Sequence, residues 1–350
     1  VFKKALSFTD IHFGKKSDSE RHNQDCLAFG TFVQIMVKKH DCDCIIIIGD
    51  WFDNQSRIGV NTLHHSTLFL EELNQLGIPI YVVVGNHDMY FKNNRSIHSL
   101  RWMKQFSNVV LVEEPTMVDR VMLLPYLVGS EFAWVPEQEC DYVFGHLALP
   151  FFLLNQNLEM RDEGGLHADH FLHPRMVFSG HFHKRQCKVN KNNIPIWYIG
   201  NAFPMDFNDV GDRDRGCMIL EYGQEPIFEN WAGAPNYNRI KLSELLEMVE
   251  ADTLMDHFNG WSVVECTDDL NIGAEEVIEL KDSLQQHLRE VIILQPPEEL
   301  DITEGVEVEH AEDLDQMVVK SLRGFDAKES DIDPELLVNL FQGTHHVKTV

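Results

Sequence analysis

Five times within its first 183 residues the chain runs through a short β-rich apolar segment and stops at a cluster of Asp, Asn, His and Gly. Residues 4–8 lead into Thr9-Asp10-Ile11-His12, residues 44–48 into Gly49-Asp50, and residues 80–84 into Gly85-Asn86-His87-Asp88. Residues 142–144 lead into Gly145-His146, and residues 176–179 into Gly180-His181-Phe182-His183. Continuous Val/Ile runs have no polar face, so they read as strands buried on both sides. Helical spacing fills the early gaps. Leu27, Phe32, Ile35 and Met36 share a face within residues 20–40, and Leu63, Leu70, Leu73 and Leu76 share another. Strands alternating with helices predict an α/β domain. The later strands at 121–124, 196–199 and 217–220 have shorter connections and predict a meander in the second half.

Ligands of an α/β sheet bind outside the carboxyl ends of its strands. Those ends here carry Asp10, His12, Asp50, Asn86, His146, His181 and His183. Mixed carboxylate, amide and imidazole donors suit Mn, Fe or Zn better than a thiolate site does. Seven such side chains are about right for two metals that share one carboxylate. Asp50, alone at the tip of the most hydrophobic strand, is the expected bridge. Two ions about 3.5–4 Å apart clamp a phosphoryl group and supply a hydroxide nucleophile.

All five clusters in this order resemble the calcineurin-like metallophosphoesterases. Asp10-Ile11-His12-Phe13-Gly14, Gly49-Asp50-Trp51-Phe52-Asp53, Gly85-Asn86-His87-Asp88, Gly145-His146 and Gly180-His181-Phe182-His183, followed by Ile199-Gly200-Asn201 and Arg215-Gly216, narrow the likeness. They resemble the SbcD-type nucleases (the Mre-eleven family), above all the recombination exonuclease subunits of tailed phages. The resemblance implies a four-layer α-β-β-α sandwich over residues 1–231 and a small α/β capping domain over 236–295. It implies DNA phosphodiester hydrolysis in recombination and double-strand-break processing, with two divalent metals per chain, manganese or else magnesium. Asp10, His12, Asp50 and His183 would hold one metal, and Asp50, Asn86, His146 and His181 the other. His87 would be the general acid/base, oriented by Asp88. The implied partners are DNA, an SbcC-type coiled-coil ATPase (the Rad-fifty family) and a second copy of the chain, as a homodimer within a heterotetramer. One position departs: the G-D-x-F-H motif of cellular members ends here in Asp53. One alternative is a metal-dependent phosphatase or phosphodiesterase acting on a small ester; protein phosphatases of the superfamily carry Asp-Arg-Gly after the second motif, where this chain has Asp53-Asn54-Gln55. A non-catalytic scaffold would lack a ligand or the acid/base His, and none is missing.

Lys15, Lys16, Arg21 and His22 follow the first metal motif, and Lys92 and Arg95 the third, so these six are the candidate contacts to DNA phosphates. They are local exceptions in a chain of net charge -27. That charge argues against a broad basic nucleic-acid surface. Residues 241–350 carry 27 Asp/Glu against 7 Lys/Arg, and residues 1–240 carry 29 against 22, so the C-terminal third is a different kind of surface.

After Trp231, residues 232–236 read as a linker. A compact unit follows: a helix capped by Ser243 and running to about 255, a strand at 261–266, a helix at 274–288 and a strand at 291–294. Residues 296–315 hold nine Asp/Glu and no Lys or Arg, which reads as a solvated acidic linker. Residues 316–350 hold two short helix candidates, the second with Leu336, Leu337, Leu340 and Phe341 on one side, and are expected to dock the ATPase. The longest aliphatic run, 45–48, is far too short to span a bilayer, and Asp10 interrupts the N-terminal apolar stretch as no signal peptide would allow. Seven cysteines, an odd number spread thinly, fit reduced thiols in a cytoplasm, the host's if the chain is of phage origin. Cys42 and Cys44 read as core thiols rather than half a zinc site.

Overall fold

The computed structural model describes residues 2–154 and 158–295; the expected acidic linker and docking segment lie outside the described residues. Two six-stranded sheets dominate. The first has the spatial order Ile227–Asn230, Gly216–Glu221, Lys4–Phe8, Cys44–Ile47, Ile80–Val83 and Val109–Val112. Its last four strands are parallel, and its first two are antiparallel additions at one edge. The second has the order Gln186–Val189, Pro195–Tyr198, Met176–Gly180, Tyr142–His146, Val121–Leu124 and Thr116–Val118. Here the four central strands are parallel and both edges antiparallel.

The alternation of side chains along each strand builds the layers. Cys44, Ile46 and Ile48 face the second sheet and pack with Leu123, Tyr142, Phe144 and Phe178. Ile45 and Ile47 face the other way, into a core with Phe29, Val33, Phe69 and Leu73 from the helices Glu20–His40 and Val60–Asn74. On the far face of the second sheet, Met122, Leu124, Val143, Val177 and Ile196 pack under Val135, Leu149, Phe152 and Phe171. The fold class is the expected mixed α/β sandwich. Its fourth layer is built from loops and the 3-10 turns Glu131–Glu137 and Ala168–His170.

The expected meander is not what forms. The connections 125–141 and 147–175 are long enough for parallel crossovers, and Gly216–Glu221 leaves the second sheet to join the first. A two-stranded hairpin, Met89–Phe91 with Asn94–His98, was not foreseen, because three and five residues are too short to show a period and the second strand is mostly polar. No helix among the described residues is long and apolar enough to cross a membrane.

Residues 236–295 form a parallel three-stranded sheet, Asn236–Lys241, Ser262–Thr267 and Glu290–Leu294, with a core of its own around Leu242, Leu245, Val264, Leu284 and Val291. Its first strand occupies part of the expected linker. Ser243 is not the helix cap: the N-cap of the helix Leu242–Glu250 is Lys241, and the Ser243 hydroxyl bonds Asp269 at 2.6 Å. This unit is tied to the helix Glu20–His40 by a bidentate pair from Arg289 to Asp25, at 2.9 and 2.5 Å. Lys16 adds a bond to the Tyr237 hydroxyl at 2.6 Å.

Candidate metal centre

The five clusters meet because the sheet ladders continue past the strand ends. Ile48 N–H donates to the Phe8 carbonyl at 2.9 Å, Asp10 N–H to Gly49 at 3.1 Å and His12 N–H to Asp50 at 3.2 Å, which zips the first two clusters together. The third joins through His87 N–H, which donates to Asp50 Oδ1 at 2.9 Å. The fifth joins through His181 N–H, which donates to Asp10 Oδ2 at 3.0 Å. Asp10, His12, Asp50 and His181 all have φ between 51° and 84°, the left-handed region that ordinary side chains avoid. Such strain collects at functional sites, where the surrounding structure holds it in place.

Three groups of potential metal donors result, each with its ligand atoms within 4.8 Å of one another: Asp10 with His12 and His183, Asp50 with His146 and His181, and His12 with Asp53 and His87. Asp50 faces the first two groups. Its Oδ2 lies 3.2 Å from His146 Nε2 and 3.9 Å from His12 Nε2. Asn86 Oδ1 lies 2.9 Å from His146 Nε2. All seven sequence-derived ligand candidates therefore converge.

The donor chemistry asks for a cation. His146 Nδ1 sits 2.8 Å from the Ile48 carbonyl, so Nδ1 carries a proton, and a neutral ring would turn its bare Nε2 toward two oxygen acceptors. His12 Nε2 and His183 Nε2 face each other at 3.2 Å, close enough to share one proton or to turn both lone pairs to one cation, and the buried His12 Nδ1 has no hydrogen-bond partner among the described residues. The ionisation pattern has the same origin. Burial opposes the charged form of His146, but Asp50 beside it and Asp10 beyond push its pKa up to about 9. Burial, with the neighbouring His146, drives His181 down to about 3. Burial also holds His12 well below the usual imidazole range and Asp10 above the carboxylate range. Asp50 is lowered, because His146, His12 and His87 outweigh its own burial. Buried carboxylates and imidazoles whose lone pairs converge in this way are what a divalent ion would satisfy, so the residues present fit metal binding.

Asp88 is not where it was expected. Its carboxylate accepts N–H bonds from Gly85 at 2.9 Å and from Trp51 and Phe52 at 3.1 Å, and it is 1% exposed. It therefore braces the turns that carry Asp50 and Asn86 and does not hold the His87 ring. That ring donates from Nδ1 to the Asp53 carbonyl at 2.7 Å, leaving Nε2 as its remaining nitrogen. Asp53 was passed over as a mere departure from a motif, yet it positions His87 through its backbone, and its Oδ1 lies 3.6 Å from His12 Nδ1. Thr9 was also missed: its hydroxyl lies 2.6 Å from Asp10 Oδ2 and 2.7 Å from the Ile48 carbonyl. Tyr126, 5.6 Å from the His181 ring, walls the cluster.

The six expected phosphate contacts divide. Lys15 lines a cleft of about 260 Å³ with His183, Lys184, Asp206 and Arg215. Lys16 and Arg21 face the 236–295 unit instead, Lys16 bonding Tyr237 and Arg21 donating to the Arg289 carbonyl at 3.3 Å. His22 is buried, with Nε2 2.8 Å from the His12 carbonyl, so it supports the first metal motif and cannot reach solvent. Arg95 is buried in a bidentate pair with Glu131 at 2.8 and 2.6 Å, and its guanidinium is spent there. Lys92 is exposed.

The sequence matches the family model of the calcineurin-like phosphoesterases over residues 4–185, more than half of the chain. It is 26% identical over 227 residues to exonuclease subunit 1 of Enterobacteria phage T4, an alignment covering 62% of this chain and 64% of that protein's length. Among solved structures, a dimetal phosphatase from Danio rerio is similar at 11% identity and a TM-score of 0.41, over 65% of this chain and 95% of that one. The nuclease MPE of Pseudomonas putida is similar at 16% identity and a TM-score of 0.31, over 61% of this chain and 82% of that one. With the matched span enclosing all seven convergent donors and His87, the chain belongs to the calcineurin-like phosphoesterases.

Proposed function

We propose that the chain is the nuclease subunit of a recombination and double-strand-break processing machine, hydrolysing DNA phosphodiesters with two divalent metals, manganese by preference. The observation that carries this reading is the convergence of the ligand candidates into two groups facing a shared Asp50, with the His87 ring beside them. Asp10, His12, Asp50 and His183 would hold one metal, and Asp50, Asn86, His146 and His181 the other. When bound, such a pair provides a nucleophile near neutral pH and stabilises charge on phosphorus.

The rest of the chemistry falls to the chain itself. Asp50 takes the His87 N–H on Oδ1 and turns Oδ2 toward both donor groups, so a single carboxylate fixes the spacing of the acid/base residue from the centre. The Asp53 carbonyl holds His87 Nδ1–H, which fixes the ring and keeps Nε2 for the substrate. As the imidazolium, a ring so held carries its second proton on Nε2 and can give it to a departing sugar alkoxide, returning to the neutral Nδ1–H form. The relative from phage T4 is named as an exonuclease subunit, which supports a DNA substrate and an assembly with a second kind of subunit. We infer that this subunit is an SbcC-type ATPase, that it is docked by residues 316–350, that the chain itself pairs as a homodimer, and that residues 236–295 cap the centre.

His87 separates this reading from a phosphatase and from a scaffold. His87→Ala should keep both metals yet lose linear-duplex cleavage by about 100- to 10,000-fold, the usual cost of removing a general acid. The loss on bis-p-nitrophenyl phosphate should be far smaller, because nitrophenolate leaves without a proton. A parent protein that hydrolyses the small ester but never DNA would sink the nuclease reading. Equal losses on both substrates, or loss of metal, would remove His87 from its role.

A further inference from the structure

The hairpin Met89–Phe91/Asn94–His98 leaves the metal centre directly. Tyr90 is three residues beyond His87, so their Cα atoms are at most about 11 Å apart. The pairing register shifts between Met89 and Phe91, an irregularity of the kind that re-aims side chains next to active sites. Its result is that two consecutive strand residues, which normally point to opposite faces, bring their rings together: Tyr90 and Phe91 meet edge to face with centroids 4.8 Å apart. Both stay out of the core, at 52% and 43% exposure. Aromatic side chains of this size would normally be buried.

The base of the hairpin, by contrast, is fixed. Arg95 donates to the Glu113 and Tyr126 carbonyls at 2.8 and 2.6 Å and pairs with Glu131. His98 bonds Glu113 at 2.9 Å, and Ser99 N–H donates to the Asp88 carbonyl at 2.8 Å. A rigid stalk therefore presents two exposed rings.

Charge indicates what they meet. Residues 89–112 contain no Asp or Glu and four cations, Lys92, Arg95, Arg101 and Lys104, in a chain with 56 Asp/Glu. Arg95 pairs with Glu131 and Lys104 with Glu113, while Lys92 and Arg101 are exposed with no carboxylate within ion-pair distance among the described residues. Exposed rings next to an unpaired cation, here Lys92, are the recipe of a single-strand binding surface, where bases stack and phosphates are neutralised.

We propose that Tyr90 and Phe91 form a stacking platform for the terminal bases of a DNA strand entering the metal centre, with Lys92 on the adjoining phosphate. The proposal rests on the nuclease reading for its substrate, but it is tested by binding. The probe is a phosphorothioate oligonucleotide with 2-aminopurine at its end, mixed with the full-length, manganese-loaded protein. Stacking on the rings should quench the 2-aminopurine.

Alanine substitution at such sites weakens binding by about tenfold to a hundredfold per stacked base. Tyr90→Ala/Phe91→Ala should lose the quench, raise Kd by that factor, and impair DNA cleavage much more than bis-p-nitrophenyl phosphate hydrolysis. Tyr90→Leu/Phe91→Leu, which keeps apolar bulk without a ring, should behave the same way. Tyr90→Phe/Phe91→Tyr should restore quench and affinity. Unchanged Kd and quench in both ring-less variants, with DNA still cleaved by the parent, would overturn the platform and leave the nuclease reading standing. Quenching by a parent that cleaves no DNA would do the reverse. Ring-less variants that bind DNA normally but fail to assemble with the ATPase would assign the hairpin to a protein partner and overturn the proposal.

Discussion

Asp88 shows how far a motif can be read and where it stops. Gly-Asn-His-Asp announces a functional turn, but spacing along the chain does not say which distant backbone groups a carboxylate will meet. Asp88 meets three N–H groups, one from its own turn at Gly85 and two from the turn after Asp50. Burial and the nearby Asp50 push its pKa up to about 7, against the pull of the Phe52 and Gly85 N–H groups. Each buried donor left without an acceptor costs about 1–3 kcal/mol. Asp88→Ala should therefore lower the melting temperature and weaken metal retention in elemental analysis, whereas His87→Ala should do neither. Full metal content and unchanged melting in Asp88→Ala would mean that the two turns hold themselves. The same limit explains the other residues that were misplaced. His22 and Arg95 look free on paper, yet one packs under His12 and the other is locked to Glu131, because burial is a property of the fold and not of the local sequence. Asp10, His12, Asp50, Asn86, His146, His181 and His183 were legible because each ends an apolar run, and strand ends are where an α/β sheet collects its ligands.

At the scale of elements, the strands were legible and their partners less so. Residues 44–48 alternate between two cores, Cys44, Ile46 and Ile48 on one side and Ile45 and Ile47 on the other, so an all-apolar run could mean only a central strand. The helix over 20–40 was equally plain, and it spans Glu20–His40. The order of the later strands was not legible, since the real crossovers, over 125–141 and 147–175, run through 3-10 turns and loops that have no strong period. Glycine marks where these elements approach most closely. A Cβ on Gly85 would lie closer than 3.0 Å to both Asp50 Oδ1 and the Asp50 backbone nitrogen, so the third strand end could not abut the second. Gly85→Ala should thus separate Asn86 from Asp50, with metal loss and destabilisation of about 1–3 kcal/mol, the usual penalty of overpacking. Gly260→Ala is the control, because a Cβ there meets nothing within 4 Å. Equal thermal stability and metal content in the two variants would show that the strand ends have slack the structure does not suggest.

For the whole molecule, the tension is between the polyanionic substrate proposed for it and a net charge of -27. The basic face is narrow. Of the cations near the centre, Lys15 lies 3.8 Å from Asp53 and 3.6 Å from Asp206, and Lys16 and Arg21 are turned to the 236–295 unit. Lys92 and Arg101 are exposed without carboxylate partners among the described residues, and so is Arg57, which lines a cleft with Phe13, Gly14 and Asp53. Counterion release scales with the phosphates neutralised, with a slope of about -0.9 per contact on duplex DNA. A protein making 6–10 contacts would give slopes of about -5 to -9, whereas two or three contacts give about -2 to -3. The remaining negative charge works in the opposite sense, since salt screens its repulsion from DNA and so helps binding as ionic strength rises. The isolated chain should therefore bind a phosphorothioate duplex weakly, with a log Kobs against log salt slope between about 0 and -3 in anisotropy titrations from about 50 to 300 mM salt. If the proposed ATPase partner supplies the missing cations, adding it should steepen the slope along with the affinity. A slope steeper than about -5 for the chain alone would mean that it carries a basic surface of its own, and that its affinity for DNA does not depend on what it assembles with.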